Sequence, residues 1–258
     1  GREELLATSM ARKKVFGTIV HCAGAYAHDL RNEIAYGHVT RHYRFDNYLN
    51  RCCENYPTHE LGPIAKLLDI NRGNRIMTVS SFASKSAGLS EYIKTRVDAT
   101  DEMKAANFAQ GDIITTVLTC ARGETILLRL GTTLYMQDTN SVFLDGDEES
   151  FEPVEYYKKA LNNAVKFEDE YLPGIWKNVT EETLKAGHGG MDWFAYMGFT
   201  DALINGEEMP VDVYDAATWQ AVAVLSEMSI KQGGAPQIMP DFTNGKWFKR
   251  PRKDVCRL

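Results

Sequence analysis

The stretch Asp112-Ile113-Ile114-Thr115-Thr116-Val117-Leu118-Thr119-Cys120-Ala121-Arg122-Gly123-Glu124-Thr125-Ile126-Leu127-Leu128-Arg129-Leu130-Gly131-Thr132-Thr133 decides the fold. Its two halves alternate, and Ala121-Arg122-Gly123 between them supplies a turn. The spacing predicts two strands, Asp112 to Cys120 and Glu124 to Thr133, closed as an antiparallel hairpin. Upstream, Thr18 to Tyr26 alternates as a strand, with Val20, Cys22 and Tyr26 on one face and Ile19, His21 and Ala23 on the other. Arg75 to Phe82 reads as a further strand, after a turn at Asn71-Arg72-Gly73-Asn74. Downstream, Tyr135 to Leu144 adds short strand material.

Helical patterns surround these strands. Glu3 to Lys14 reads as a helix stopped by Phe16-Gly17. Pro57 suits the first turn of a helix through Leu68, with Thr58 and Glu60 at its electropositive start. Leu89 to Val97 and Asp101 to Phe108 are two short helices, and Val154 to Phe167 is another. Met191 to Ile204 carries Met191, Phe194, Ala195 and Ala202 on one stripe, and Asp212 to Lys231 carries Tyr214, Ala217, Ala221, Leu225 and Met228 on a core-facing one. Asp29 to Tyr48 is polar, aromatic and weakly periodic, and is expected to be an irregular loop that forms a site. The order implies an α+β fold, an open, mostly antiparallel β-sheet covered on one face by helices. The expected division is a substrate-binding, catalytic-sheet domain over 1–247 and a basic, solvated tail over 248–258.

The 258 residues suffice for a sizeable core, and a 44% hydrophobic and 25% charged composition is that of an ordinary globular chain. A net charge of -6 argues against a nucleic-acid partner. No apolar run approaches the roughly 18 residues that span a bilayer, so no membrane partner is expected. Five cysteines at spacings that fit neither a zinc site nor a disulfide framework suggest reduced thiols and a cytoplasmic location. No Gly-x-Gly-x-x-Gly opens a helix; Gly187-His188-Gly189-Gly190 comes nearest but follows no strand. A glycine-rich dinucleotide-binding turn is therefore not expected in this sequence.

Four of the six histidines fall among the tyrosines and arginines of Tyr26 to Glu60. Sugar sites use tyrosine for stacking, arginine and aspartate for hydroxyl groups, and histidine to move protons near neutral pH. His59 stands out at the head of a helix in Tyr56-Pro57-Thr58-His59, where neighbouring N–H groups favour the neutral, base-competent imidazole. A helix-start histidine that only bonds backbone is the plainer alternative. His28, His38 and His42 lack ligand spacing, and no metal is expected. His188 and Asp192 sit in a glycine-rich entry to a helix, where a backbone could approach a ligand closely.

Several strings taken together carry a resemblance. They include Ala25-Tyr26-Ala27-His28-Asp29-Leu30-Arg31, Arg41-His42-Tyr43-Arg44, Tyr56-Pro57-Thr58-His59-Glu60-Leu61-Gly62-Pro63, Ile70-Asn71-Arg72-Gly73, Gly187-His188-Gly189-Gly190-Met191-Asp192 and Pro240-Asp241-Phe242-Thr243-Asn244-Gly245. The set resembles the glucose-fructose oxidoreductase / inositol dehydrogenase / MocA superfamily, in its C-terminal domain. It is most similar to the branch of NAD-dependent α-N-acetylgalactosaminidases. The resemblance implies NAD held mainly by an N-terminal domain outside this sequence, and a carbohydrate substrate. It implies transient hydride transfer at a sugar hydroxyl, elimination of the aglycone and hydration. His59 and Tyr56 would be catalytic, and Tyr26, Arg44, His188 and Asp192 would bind substrate. The superfamily's commoner Asp four residues before the histidine is Asn55 here, so no Asp–His couple is available. A further family segment before the next strand is missing between Leu134 and Tyr135. A homo-oligomer through the open sheet face is expected. Two other readings stand: a sugar dehydrogenase without glycosidic cleavage, and a cofactor-free carbohydrate-binding or dimerisation module.

Overall fold

The computed structural model describes residues 1–134, 139–146, 150–151 and 168–258. Its elements, in chain order, begin with α1 (Arg2–Arg12), β1 (Ile19–Ala27), α2 (Arg31–Ala35), α3 (Gly37–Thr40), α4 (Tyr43–Asn50) and α5 (Pro57–Leu67). They continue with β2 (Ile76–Ala83), α6 (Gly88–Lys94), α7 (Asp101–Ala105), β3 (Ile113–Cys120), β4 (Thr125–Gly131), β5 (Thr139–Gly146) and β6 (Ser150–Phe151). The last are α8 (Gly174–Lys177), α9 (Glu181–Leu184), α10 (Met191–Asn205), α11 (Val213–Lys231) and β7 (Gln237–Ile238).

The strands form one sheet in the order β6-β5-β1-β4-β3-β2-β7. The expected hairpin is β3–β4, antiparallel from Ile113 opposite Gly131 to Thr119 opposite Thr125, with Gly123 at φ +101° taking the left-handed turn position. Every adjacent pair is antiparallel except β1–β4, which is parallel. The open, mostly antiparallel α+β fold expected from the sequence is therefore what forms. Along β3 and β4 the even-numbered side chains, Ile114, Thr116, Leu118, Ile126, Leu128 and Leu130, are buried. The main core joins Leu118, Ile126 and Leu128 to α1 (Leu6, Met10), α5 (Leu61, Ile64) and α11 (Trp219, Val222), while Ile114 and Leu130 pack with Tyr26 in a separate cluster. Helix α5 lies close on β1 because Gly24 has no side chain: a Cβ there would stand 2.7 Å from the Glu60 carbonyl oxygen.

Four local expectations need correction. Asp29 to Tyr48 is not an irregular loop but contains α2, α3 and α4. Each is too short to show a helical period, and their apolar residues meet only in space. Ile34, Ala35 and Tyr48 form a second core with Leu89, Ile93, Met103 and Phe108. Second, the buried stripe of α11 is Asp215, Thr218, Trp219, Val222, Leu225, Ser226 and Ser229, and Met228 is exposed. Hydropathy misplaced the stripe because its polar members are satisfied. Ser226 Oγ accepts from Glu54 N at 2.8 Å, Ser229 Oγ from Ser81 N at 2.9 Å, and Asp215 accepts from Arg72.

Third, of the α10 stripe only Ala202 is buried, while Met191, Trp193, Tyr196, Phe199, Leu203 and Ile204 are exposed. This helix is apolar on all sides and rests on α8 through Phe194 against Trp176, with ring centroids 4.7 Å apart. Fourth, the basic segment after Trp247 is pinned rather than solvated. Arg252 pairs with Asp69 at 2.8 Å, Asp254 accepts from Arg12 at 2.8 Å, and Arg250 pairs with Asp212. The expected helix Val154 to Phe167 lies outside the described residues, as do residues 135–138 of the expected strand Tyr135 to Leu144. No helix among the described residues is long and apolar enough to cross a membrane.

Candidate active site

Three elements bring the candidate side chains together: the end of β1, the start of α5 and the start of α4. Tyr26 is the penultimate residue of β1, and Tyr56 immediately precedes Pro57, which opens α5 with its ring-fixed φ. One turn in, His59 stacks on Tyr56 with ring centroids 4.4 Å apart and planes 30° apart. Tyr26 closes the cluster, 4.7 Å from the Tyr56 ring and 5.2 Å from His59, with His28 4.4 Å behind it. Arg44 is buried and lays its guanidinium over Tyr56 at 4.8 Å and over Tyr43 at 4.9 Å. Its Nη1 is 3.5 Å from Glu33, and its buried Nε has no hydrogen-bond partner, leaving a donor unused beside the tyrosines.

Local chemistry holds α4 in place for this. His42 caps the helix by accepting from Arg44 N at Nδ1, 3.3 Å away. That hydrogen bond assigns the ring proton to Nε2, which faces Glu33 Oε1 at 2.6 Å. Asp29 and Arg31 are committed to each other, with Arg31 Nε donating to Asp29 Oδ1 at 2.8 Å. The buried amide of Asn55 sits beside the Tyr48 hydroxyl.

His188 and Asp192 form a second constellation, with His188 Nδ1 2.9 Å from the Asp192 carboxylate. His188 holds φ +44° and is flanked by Gly187, Gly189 and Gly190, all at positive φ. A side chain at Gly187 would collide with the Asp192 carboxylate, so the glycine permits this approach. The pair does not touch the tyrosine cluster, but His188 lies near enough to act on His59 electrostatically.

His59 is held below the ordinary imidazole range, first by burial and then by the positive character of His28, His188 and Arg44. The direction agrees with the expectation from a helix start; the cause is packing and charged neighbours. A neutral imidazole near pH 7 is free to accept a proton. Burial pushes the Tyr26 and Tyr43 hydroxyls up, keeping them protonated as hydrogen-bond donors. The His59 ring resonances are expected to titrate with a midpoint below about 6.5, and His188→Ala to raise that midpoint; an unchanged midpoint would separate the two constellations.

Of the two acids that bracket Tyr56 and His59 in sequence, sequence reasoning missed Glu54 and placed Glu60 only at the helix start. Glu54 and Glu60 are 0% and 1% exposed, and Glu60 turns into the sheet to accept from Arg129 N at 3.1 Å. Only their spacing around Tyr56 and His59 could have drawn attention to them. An apolar cavity of about 480 Å³ lies on the other side of α5, lined by Leu5, Trp176, Phe194 and Trp219. It touches none of Tyr26, Arg44, Tyr56 or His59 and is a separate feature.

The sheet, with an aromatic and histidine cluster where β1 meets α5, has the fold of the C-terminal part of sugar oxidoreductases. Levoglucosan dehydrogenase, solved in complex with NADH and levoglucosan, shares it at TM-score 0.59 and 15% identity, over 92% of this chain and 63% of that one. Scyllo-inositol dehydrogenase from Lactobacillus casei, solved with NAD(H) and scyllo-inositol, does so at TM-score 0.56 and 9% identity, over 93% and 62%. The chain belongs to the glycosyl hydrolase 109 family, matching that family's C-terminal domain over residues 1–249. A glycosyl hydrolase family 109 protein from Stenotrophomonas maltophilia is 35% identical over 96% of this chain and 61% of its own length. An alpha-N-acetylgalactosaminidase from Tannerella forsythia is 32% identical, over 96% and 59%. The chain thus spans about 60% of the length of these curated relatives.

Proposed function

We propose that this chain is the substrate-side part of an NAD-dependent glycosidase that cleaves α-N-acetylgalactosaminides through transient oxidation of the sugar. The observation that carries the reading is the Tyr26–Tyr56–His59 cluster under Arg44: a neutral imidazole stacked on one tyrosine, closed by another, and open on one side. Its residues suit the sugar side of a hydride-transfer site. The sequence has no glycine fingerprint for a pyrophosphate, so NAD would be held mainly by an N-terminal domain outside this chain. When bound, NAD supplies a hydride acceptor at the sugar's C3.

The chain's own residues do the rest. His59 takes the proton from the C3 hydroxyl as its carbon is oxidised, with Tyr56 fixing the ring beside it. Tyr26 and Arg44 bind sugar hydroxyls. The ketone acidifies the C2 hydrogen, which passes to a base as the aglycone leaves with a proton. Water adds at C1 and C2 is reprotonated. The hydride taken from C3 is then given back to it, and His59 returns its proton as the hydroxyl is restored. His188 and Asp192 line the substrate cleft. This route replaces the two carboxylates of the common glycosidases.

The test is hydrolysis of an aryl α-N-acetylgalactosaminide by the intact protein with NAD. Cleavage without net reduction of NAD supports the reading. NADH accumulating with free sugar would instead mark a dehydrogenase, and neither activity would leave a carbohydrate-binding or dimerisation module. We further propose that a second copy covers the open sheet face, where Phe82 stands exposed. Light scattering giving the mass of one chain would oppose this. A cytoplasmic location agrees with the five free cysteines.

A further inference from the structure

We propose that Glu54 and Glu60 face each other as a carboxyl pair sharing a proton, and that this pair positions Tyr56 and His59. Both acids are buried, one before and one after Tyr56 and His59 in the sequence, in the segment that also carries Pro57. Each has one oxygen tied to backbone: Glu54 Oε1 accepts from Tyr56 N at 3.3 Å, and Glu60 Oε2 accepts from Arg129 N at 3.1 Å. The other oxygens, Glu54 Oε2 and Glu60 Oε1, are buried with no donor when both groups are written as carboxylates. The two side chains lie within hydrogen-bonding reach, so one retained proton supplies the missing donor.

No described cation is bonded to either group. The ionisable groups around them are Tyr26 on β1, Tyr48 and Arg44 on α4, Cys53, and the Arg51–Glu227 ion pair reaching α11; on β4, Arg129 offers only its N–H. Burial pushes Glu54 up to about 7, and burial together with Glu54 drives Glu60 well above the usual carboxylate range. The pair joins three parts of the site. Glu60 accepts from the backbone of Tyr26 as well as of Arg129, and Glu54 holds the Tyr56 N–H while its own N–H is anchored on Ser226 of α11. With its proton, the pair clamps the start of α5 onto β1 and β4. Loss of the last proton would leave two adjoining buried charges that push the stack away from Tyr26.

The sign of the pH effect follows. The folded chain keeps protons that the unfolded chain releases above about 4.3, so stability falls as pH rises from there through the native titration. Naming Tyr56 and His59 as catalytic rests on the proposed function; the clamp itself does not, and its test needs neither sugar nor NAD. Infrared spectra of the protein at pH 7 should show a carboxylic-acid C=O band that shifts in D2O and is lost in the Glu54→Gln/Glu60→Gln variant. The Tyr56 amide and His59 ring signals should move with the same midpoint as that band. Glu60→Gln, whose amide can donate to Glu54, should keep the stack while flattening the fall of the urea midpoint with pH. Absence of the acid band at pH 7, or Tyr56 and His59 signals that ignore its titration, would overturn the proposal.

Discussion

Replacing His59 by alanine is expected to lower turnover of an aryl α-N-acetylgalactosaminide by about 100- to 10,000-fold, the range spanned by a positioned acid–base group. The folded structure should be unaffected. His59 is exposed on its outer side and contributes a ring stacked on Tyr56 rather than a member of the core. Its partial burial and positive neighbours hold it neutral, so the substitution removes a base that is ready at neutral pH. Tyr56→Phe keeps the stack and tests the hydroxyl alone. If His59→Ala lowered the melting temperature as much as it lowered turnover, the ring would be a packing element and the catalytic reading would fall.

Asp215→Ala is expected to cost about 3–5 kcal/mol of stability, as for removal of one partner from a buried ion pair. Asp215 is 1% exposed and faces Arg72, just after the site helix, at 3.1 Å and Lys66, in its last turn, at 3.1 Å. Without it, Lys66 loses its carboxylate, Arg72 keeps only Asp212, and α11 loses the reciprocal cap it forms with Asp212. Pairing Asp215→Leu with Arg72→Met should recover part of the loss, because the half-paired buried arginine goes with its partner. Urea unfolding of the single and double variants measures this directly. Equal losses in both would mean that the helix cap, rather than the uncompensated charge, dominates.

The sheet was legible because its strands alternate and its hairpin carries a glycine turn; β3 (Ile113–Cys120) and β4 (Thr125–Gly131) form within the expected Asp112 to Cys120 and Glu124 to Thr133. Helix α5 was legible from Pro57. The stripes of α10 and α11 were not, since hydropathy treats Ser226, Ser229 and Asp215 as surface residues. Their burial depends on partners, Glu54, Ser81 and Arg72, that are far away in sequence. The same reason hid α2 to α4 and the docked C-terminal segment, whose anchors include Leu89 and Ile93 for the former and Arg12, Asp69 and Asp212 for the latter, all distant in sequence. In the site, Tyr26, Arg44, Tyr56 and His59 were singled out individually and the fold gathers them. The Glu54–Glu60 pair was unreadable because nothing local distinguishes a buried glutamate from a solvated one.

The central claim is that the sugar is oxidised at C3 and cleaved by elimination. The most direct test is cleavage of the aryl glycoside by the intact protein with NAD in D2O, followed by mass and NMR analysis of the released sugar. The account predicts deuterium at C2, placed there when the acidified position is reprotonated from solvent. Cleavage with the C2 hydrogen fully retained would contradict it and point to direct displacement at the anomeric carbon.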